Sequence, residues 1–252
     1  GDGARFPLAT VTCQGDGARF PLATVTCLGM TEVLHLAAFS AGIGTRTLVD
    51  GLDLAVGRGE IVALTGESGA GKSLTGLAIM GLLPAGGWVR GICHINGRDI
   101  APMDERAMRA LRGSTLGMVF QDPVAALDPV MTIGAQLKET LRHHHRLGRR
   151  EAAALSAALL ADCGLDSPEA CLGRHAFELS GGQCQRVMIA LALAGNPALL
   201  IADEPTTALD IATQAGILAL LRRLARERGM AVLLITHDLD AVAGVADRVI
   251  VL

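Results

Sequence analysis

Tyrosine is absent from this sequence, aromatic residues make up only 2% of it, and no block of five like charges occurs. Nucleic-acid binding ordinarily needs a basic patch for the phosphates and rings for the bases. With a formal net charge of −3, both gaps argue against such a partner. No two cysteines stand in a C-x-x-C pair, which removes the commonest zinc and redox spacings. Cys93, Cys163, Cys171 and Cys184 are scattered, as expected of reduced thiols acting as small hydrophobes. Every apolar run is broken by a charge, Gly or Pro short of the ~18 residues that a spanning helix needs. The chain does not open on a basic segment followed by an apolar one, so no secretory signal is read and a cytosolic residence is expected.

What is present is a large apolar fraction, half of 252 residues, enough for a well-buried core. Three short runs, EIVALTG (60–66), ALLIADEP (198–205) and MAVLLITHD (230–238), are continuously apolar and end on small or acidic residues. Strands covered on both faces read this way, which predicts a parallel sheet flanked by helices. Helical patterns lie between them, SLTGLAIMGLL (73–83, before Pro84) and TQAGILALLRRLARERG (213–229, with Gly229 as C-cap). LHLAAFS, TLVDGLDLAV and GICHING alternate more and carry turn signals, as strands of a small antiparallel sheet do. From Pro123 to Glu178 the patterns are helical only, and residues 123–178 are expected to form an inserted helical subdomain, with 31–122 and 179–252 as the core.

The stretch Gly66 to Ser73, GESGAGKS, fits G-x-x-x-x-G-K-[ST] between a buried strand and a helix. Phosphate oxygens need backbone N–H groups at close range, so Gly66, Gly69 and Gly71, with Glu67, Ser68 and Ala70 between them, suit a loop that wraps an anion. Lys72 and the start of the next helix add positive charge. Lys72 would neutralise β- and γ-phosphates and the Ser73 hydroxyl would ligate Mg²⁺. The adjacent carboxylates Asp203 and Glu204 end a buried strand. Asp203 suits a water-mediated hold on Mg²⁺ and Glu204 a general base or positioner of the attacking water.

Leu179 to Arg186, LSGGQCQR, stands before an apolar helical stretch, and with the phosphate loop it resembles the ATP-binding-cassette (ABC) ATPases. The resemblance covers roughly Thr31 to Leu252 and implies an α/β P-loop NTPase (RecA-like) core with a small antiparallel β subdomain and an inserted helical subdomain. It further implies that Ser180, Gly181, Gly182 and Gln183 grip the γ-phosphate of ATP held by a second ATPase subunit, homologous or identical. By the same likeness Gln121 in MVFQDP senses Mg²⁺ and the attacking water, Asp210 in TTALD belongs to the loop crossing the dimer interface, and His237 in LLITHD contacts the γ-phosphate. SLTGLAIMGLLP and MVFQDPVAALDPVMTIGAQL are similar to the ATPase subunits of bacterial peptide and nickel importers. That group implies a peripheral place at the cytoplasmic face of the membrane beneath two permeases, with an extracytoplasmic binding protein choosing the cargo.

Two competing readings share this core. One is a soluble ABC ATPase of DNA repair or translation, disfavoured by the single cassette and the absence of room for a long coiled coil between Ser73 and Ser180. The other is a nucleotide-sensing module without turnover, disfavoured by intact Glu204, His237 and Gln121. Two departures from the family are visible. The region where an aromatic adenine platform is expected reads AGIGTRTLVD; Phe39 lies slightly upstream, Arg46 could stack instead, and the platform is unassigned. The chain stops at VIVL, where relatives continue, so a C-terminal truncation is expected. The run His143, His144, His145 cannot turn three consecutive helical side chains to one ion, and reads as a solvated, partly basic surface. Finally, residues 1–13 recur after one Gln as residues 15–27, upstream of Met30. Two copies are too few for a repeat architecture. Residues 1–29 are expected to be a leader that the fold does not need, produced by duplication or by translation of non-coding sequence; the alternative is a hairpin of the two PLATVTC segments.

Overall fold

A computed structural model of the chain describes residues 32–252. The duplicated segment, with the expected leader 1–29 and its alternative hairpin, lies outside the described residues. Two sheets organise the fold. Strands β1 (Glu32–Ile43), β2 (Arg46–Gly57), β4 (Gly87–Ile95) and β5 (Arg98–Asp99) form an antiparallel sheet in the order β2-β1-β4-β5. Strands β3 (Ile61–Thr65), β6 (Leu116–Val119), β7 (Leu199–Asp203), β8 (Ala231–Ile235) and β9 (Arg248–Val251) form a second in the order β6-β7-β8-β3-β9, with every pairing parallel. The three continuous apolar runs become β3, β7 and β8, all fully buried.

Continuous hydrophobicity is needed because alternate residues of these strands serve two different cores. Ala63, Leu200, Ala202, Val232 and Leu234 face a core shared with α7 (Gly181–Leu193) and α8 (Ile211–Arg228). Leu64, Leu199, Ile201, Leu233 and Ile235 face the other, shared with α1 (Lys72–Ile79) and the antiparallel sheet. A polar residue in either register would be buried without a partner, which costs about 1–3 kcal/mol.

Helix α1 is shorter than the expected 73–83. It ends at Ile79 because Gly81 takes a left-handed φ of 63°, and the amides of Gly81 and Leu82 turn back to the carbonyls of Ala78 and Leu77. The helical pattern thus ran past a glycine stop. Helix α8, by contrast, starts earlier than 213: Asp210 caps it by accepting from the Thr213 amide, and Gly229 closes it at φ 60°.

After α2 (Glu105–Leu111), the interval expected to be helical contains α3 (Pro123–Ala126), α4 (Ile133–His145), α5 (Arg149–Asp162) and α6 (Pro168–Leu172). The histidine run at the end of α4 differs from a plain solvated surface. His145 Nε2 donates to the Ala194 carbonyl at 2.6 Å, while His144 is half-buried over Gly113, where a Cβ would stand 2.3 Å from its Nε2. Burial, and then the neighbouring His143 and His145, hold the His144 imidazole below its usual pKa. Two of the three rings therefore fasten α4 to the turn after α7 and to the loop before β6.

That seam allows almost no extra volume. A Cβ on Gly195 would lie 1.8 Å from the Gly113 carbonyl oxygen. Gly195→Ala should destabilise the fold by about 2 kcal/mol through backbone displacement, lowering Tm by roughly 4–8 °C in a domain of this size. Thermal unfolding followed by circular dichroism checks this, and an unchanged Tm would show that the seam yields freely.

Candidate functional site

Loop 66–71 leaves the carboxyl end of β3 and runs into α1, the place where open α/β sheets hold ligands. Gly71, the residue before α1, has φ 95°, and a Cβ there would meet Val49 Cγ2 at 2.6 Å and the Leu48 carbonyl at 2.7 Å. Gly69 has open space around it, so its constraint is the positive φ of 84° rather than crowding. The Lys72 ammonium donates to the carbonyls of Gly66 (3.0 Å) and Glu67 (2.8 Å) within its own loop. It has no carboxylate partner within salt-bridge range among the described residues, although Lys72 is only 7% exposed. Its positive charge is therefore held in place and left for an anion.

Between β3 and β7 in the sheet stands β8, so the phosphate loop and Asp203 are not on adjacent strands. Helix α1 bridges them. It lies so close to the sheet that a Cβ on Gly76 would be 3.1 Å from both Ile201 Cγ2 and Ile235 Cδ1, and the Ser73 hydroxyl donates to Asp203 Oδ1 at 2.9 Å. Burial raises the Asp203 carboxyl above its ordinary pKa; the Ser73 hydrogen bond opposes this, the Glu204 charge adds to it, and Lys72 opposes it.

Glu204 follows β7 with φ 46°, a left-handed conformation that costs a non-glycine residue of order 1 kcal/mol. Its amide donates to the Ile235 carbonyl at 2.8 Å, which holds the turn. The side chain collects three partners. Thr207 Oγ1 donates to Oε2 at 2.8 Å, Gln121 Nε2 donates to Oε2 at 3.3 Å, and His237 Nδ1 lies 3.0 Å from Oε1. Burial pushes this carboxyl up, but the hydrogen bonds from Thr207 and His237 and the charges of His237 and Lys72 outweigh it, so the net shift is downward. Asp203 and Glu204 are thus neighbours moved in opposite directions.

Gly66, Glu67, Ser68, Gly69, Gly71, Lys72, Ser73, Gln121, Glu204 and His237 line one open cavity of about 820 Å³, with Leu48, Leu74 and Thr207 completing its wall. Ala70 sits within the same loop, its amide on the Glu67 carbonyl at 3.2 Å, and Asp203 lies beneath the cavity behind Ser73. Sequence reasoning missed Thr207 and Leu48. Thr207 stands three residues after Glu204 in EPTT, a spacing that could have suggested a hydroxyl folding back on the carboxylate. Phe39, weighed for the base, is fully buried in the core and cannot stack on a ligand; Arg46 is exposed at the start of β2 and does not line the cavity.

The remaining expected residues are elsewhere. Ser180 caps α7, accepting from the Gln183 amide at 3.3 Å, while its own amide donates to Gln183 Oε1 at 3.0 Å. Ser180, Gly182 and Gln183 line a separate depression of about 530 Å³. Asp210 caps the neighbouring α8; the two helix starts abut, since a Cβ on Gly182 would meet Thr213 Cγ2 at 2.7 Å and one on Gly181 would be 3.6 Å from Leu209. Within one chain, therefore, Ser180, Gly181, Gly182, Gln183 and Asp210 do not join the phosphate-loop cavity.

A phosphate loop, a serine on a strand-end carboxylate and a glutamate held by glutamine and histidine, all on a parallel sheet with an added antiparallel one, define a nucleotide-binding cassette. Residues 49–207 match the ABC transporter family, and the chain belongs to it. It is 43% identical over 226 residues to the oligopeptide transport ATP-binding protein OppD of Bacillus subtilis, covering 88% of this chain and 63% of that one. It is 48% identical over 211 residues to a putative peptide import ATP-binding protein of Brucella melitensis, 81% of this chain and 62% of that one, and 44% identical over 223 residues to the probable D,D-dipeptide transport ATP-binding protein DdpD of Escherichia coli, 88% and 68%. The chain thus spans under two thirds of the length of the first two relatives. A dimeric ATP-binding cassette solved after hydrolysis with ADP and Pi superposes with a TM-score of 0.76 at 30% identity, covering 87% of this chain and 94% of that one.

The Thr207 contact can be tested alone. Removing its hydroxyl takes away a hydrogen bond to the ionised form of Glu204, so Thr207→Val should raise the titration midpoint of that carboxyl. Since a depressed carboxylate stabilises the fold above its unfolded pKa and loses that contribution as pH falls through the folded value, the variant should also lose part of its extra stability at neutral pH. Carbon-13 NMR titration of the Glu204 carboxyl checks the first point, and an unmoved midpoint would refute the contact.

Proposed function

We propose that this chain is the ATP-binding and ATP-hydrolysing subunit of an importer for peptides, and that it works as one half of an ATPase pair. The observation that carries the reading is the gathering of Lys72, Ser73, Gln121, Glu204 and His237 around one cavity, with Asp203 behind Ser73. These residues suit ATP with Mg²⁺. Lys72 is a buried ammonium whose acceptors are backbone carbonyls, and Ser73, Asp203 and Gln121 offer the hard oxygen donors that Mg²⁺ prefers. When bound, Mg²⁺ would offset charge on the terminal phosphates.

The chain's own residues then divide the work. Loop amides and the start of α1 hold the triphosphate, and Lys72 neutralises it. Glu204, kept ionised by its neighbours, orients and deprotonates the attacking water. Gln121 fixes the carboxylate from one side. His237 fixes it from the other and would contact the γ-phosphate.

Ser180 and its helix start would complete the site of a facing subunit. The face that carries them supports this: Ile211 beside Asp210 is 85% exposed and Phe177 before Ser180 is 72% exposed, apolar groups that a second ATPase would cover. Each chain thus contributes a phosphate loop to one site and a helix start to the other. The peptide-transport relatives support two permeases and an extracytoplasmic binding protein as further partners, with the ATPase at the cytoplasmic side. No helix among the described residues is long and apolar enough to cross a membrane, in keeping with separate permease chains. Nickel is the alternative cargo; the peptide names of the three relatives above favour peptides.

Glu204→Gln should keep nucleotide binding and cut turnover by about 100-fold or more, the usual scale for a lost general base, while accumulating an ATP-dependent dimer by light scattering. Turnover equal to that of the unaltered protein would sink the assignment of the base. Lys72→Ala should lose affinity for Mg·ATP itself, measured by equilibrium binding, and unchanged affinity would refute its role at the phosphates.

A further inference from the structure

Helices α4 and α5 pack against each other through the short connection 146–148, and that reversal is crowded with positive charge that the ATPase chemistry does not use. Lys138, Arg142 and Arg146 follow at four-residue spacing along α4 and its cap, which sets them on one helix face, and Arg149 and Arg150 open α5. All five are exposed. None of the five has a carboxylate within salt-bridge range among the described residues. Residues 138–151 include only two carboxylates, Glu139 and Glu151, and Glu151 Oε2 is taken up by the Gly148 amide at 2.9 Å.

Folding alone does not call for these charges. Arg142 suits the negative end of α4, but Arg149 and Arg150 stand at the positive start of α5, where acidic residues are preferred. Arg146 has φ 54°, a left-handed conformation that glycine adopts at lower cost. Three arginines thus stand against local preference, as residues serving a partner do. The reversal is also fastened at the far end of the sheet from the nucleotide. His145 bonds the Ala194 carbonyl and His144 covers Gly113, residues that lead into β7 and β6 at their amino ends. The phosphate loop and Glu204 leave the carboxyl ends of their strands, so the arginines belong to a different surface.

We infer that the α4–α5 reversal rests on the anionic phospholipid headgroups beside the permeases, a reading that builds on the cytoplasmic-side placement proposed above. Charge complementarity carries it: five cations on one short stretch meet a surface of closely spaced phosphates, and each Lys or Arg near such a surface adds to the attraction. Guanidinium groups, four of the five, also pair phosphate oxygens through two parallel hydrogen bonds. A nucleic acid offers phosphates too, but residues 138–150 hold no Phe, Tyr or Trp for its bases, and the chain as a whole carries a net charge of −3. Resting there, the reversal holds the helical segment between Gln121 and Ser180 against the membrane while the phosphate loop stays open to solvent.

Sedimentation of the full chain with vesicles tests this, comparing phosphatidylglycerol mixed into phosphatidylcholine with phosphatidylcholine alone. The chain should partition onto the anionic vesicles only, and added salt should release it. Combining Arg146→Gln, Arg149→Gln and Arg150→Gln should weaken that partition about 100-fold, near fivefold for each charge. Lysine at the same three positions should restore most of it, and ATP turnover in solution should be the same in all three proteins. Equal partition onto phosphatidylcholine, an unchanged partition in the glutamine variant, or a lysine variant as weak as the glutamine one would each overturn the inference. Tighter binding to duplex DNA than to the anionic vesicles at the same salt would overturn it too, by giving the arginines to nucleic acid. Failure of the underlying reading looks different, since the unaltered chain would then bind vesicles yet turn over no ATP with its partner.

Discussion

The hydrogen bond from Ser73 to Asp203, 2.9 Å long and spanning 130 residues of sequence, is the contact on which the rest of the site depends. It exists because α1 lies directly on β7 and β8, and α1 can do so because residue 76 has no side chain to hold it off Ile201 and Ile235. Pressed down in this way, the helix start brings its free amides, the Lys72 ammonium and the Ser73 hydroxyl over the carboxyl ends of the strands. The same closeness buries Asp203 and raises its pKa, while the Ser73 hydrogen bond and the Lys72 charge favour its ionised form. A looser α1 would lose the anion site and the Ser73 contact to Asp203.

One residue further along, the constraint is conformational. Glu204 adopts a left-handed backbone that carries it out of β7 and into the cavity, and the Ile235 carbonyl holds that turn. Three side chains from three parts of the sequence then fix the carboxylate, so its strain is maintained by neighbours rather than relieved. The opposite pKa shifts arise because burial beneath α1 prevails at Asp203, whereas at Glu204 the hydrogen bonds from Thr207 and His237 and the charges of His237 and Lys72 outweigh burial. Adjacent carboxylates with different environments can take different roles, as the proposed division between Mg²⁺ and the attacking water requires.

Most of this architecture was legible in the sequence because it rests on local, periodic signals. Buried parallel strands announce themselves as unbroken apolar runs, and Asn96–Gly97, both with positive φ, mark the hairpin after GICHI. The glycine-rich loop and LSGGQ could be read because backbone approach to an anion restricts residue type. What escaped was tertiary. Thr207 carries no local signal of its contact, which depends on the left-handed Glu204 turning its carboxylate back. The end of α1 depended on Gly81, whose φ a periodicity count ignores. His144 and His145 read as solvated because nothing local says that Gly113 and Ala194 lie against them. The separation of Ser180 from Lys72 was expected from the family resemblance rather than from motif spacing, and the described residues indeed place the two around different cavities.

That division is the central claim, and structure determination of the Glu204→Gln ATPase pair with Mg·ATP tests it most directly. The account predicts two nucleotides, each with its γ-phosphate between Lys72 of one subunit and the Ser180 helix start of the other. A nucleotide seated on Lys72 with Ser180 of both subunits left facing solvent would contradict it.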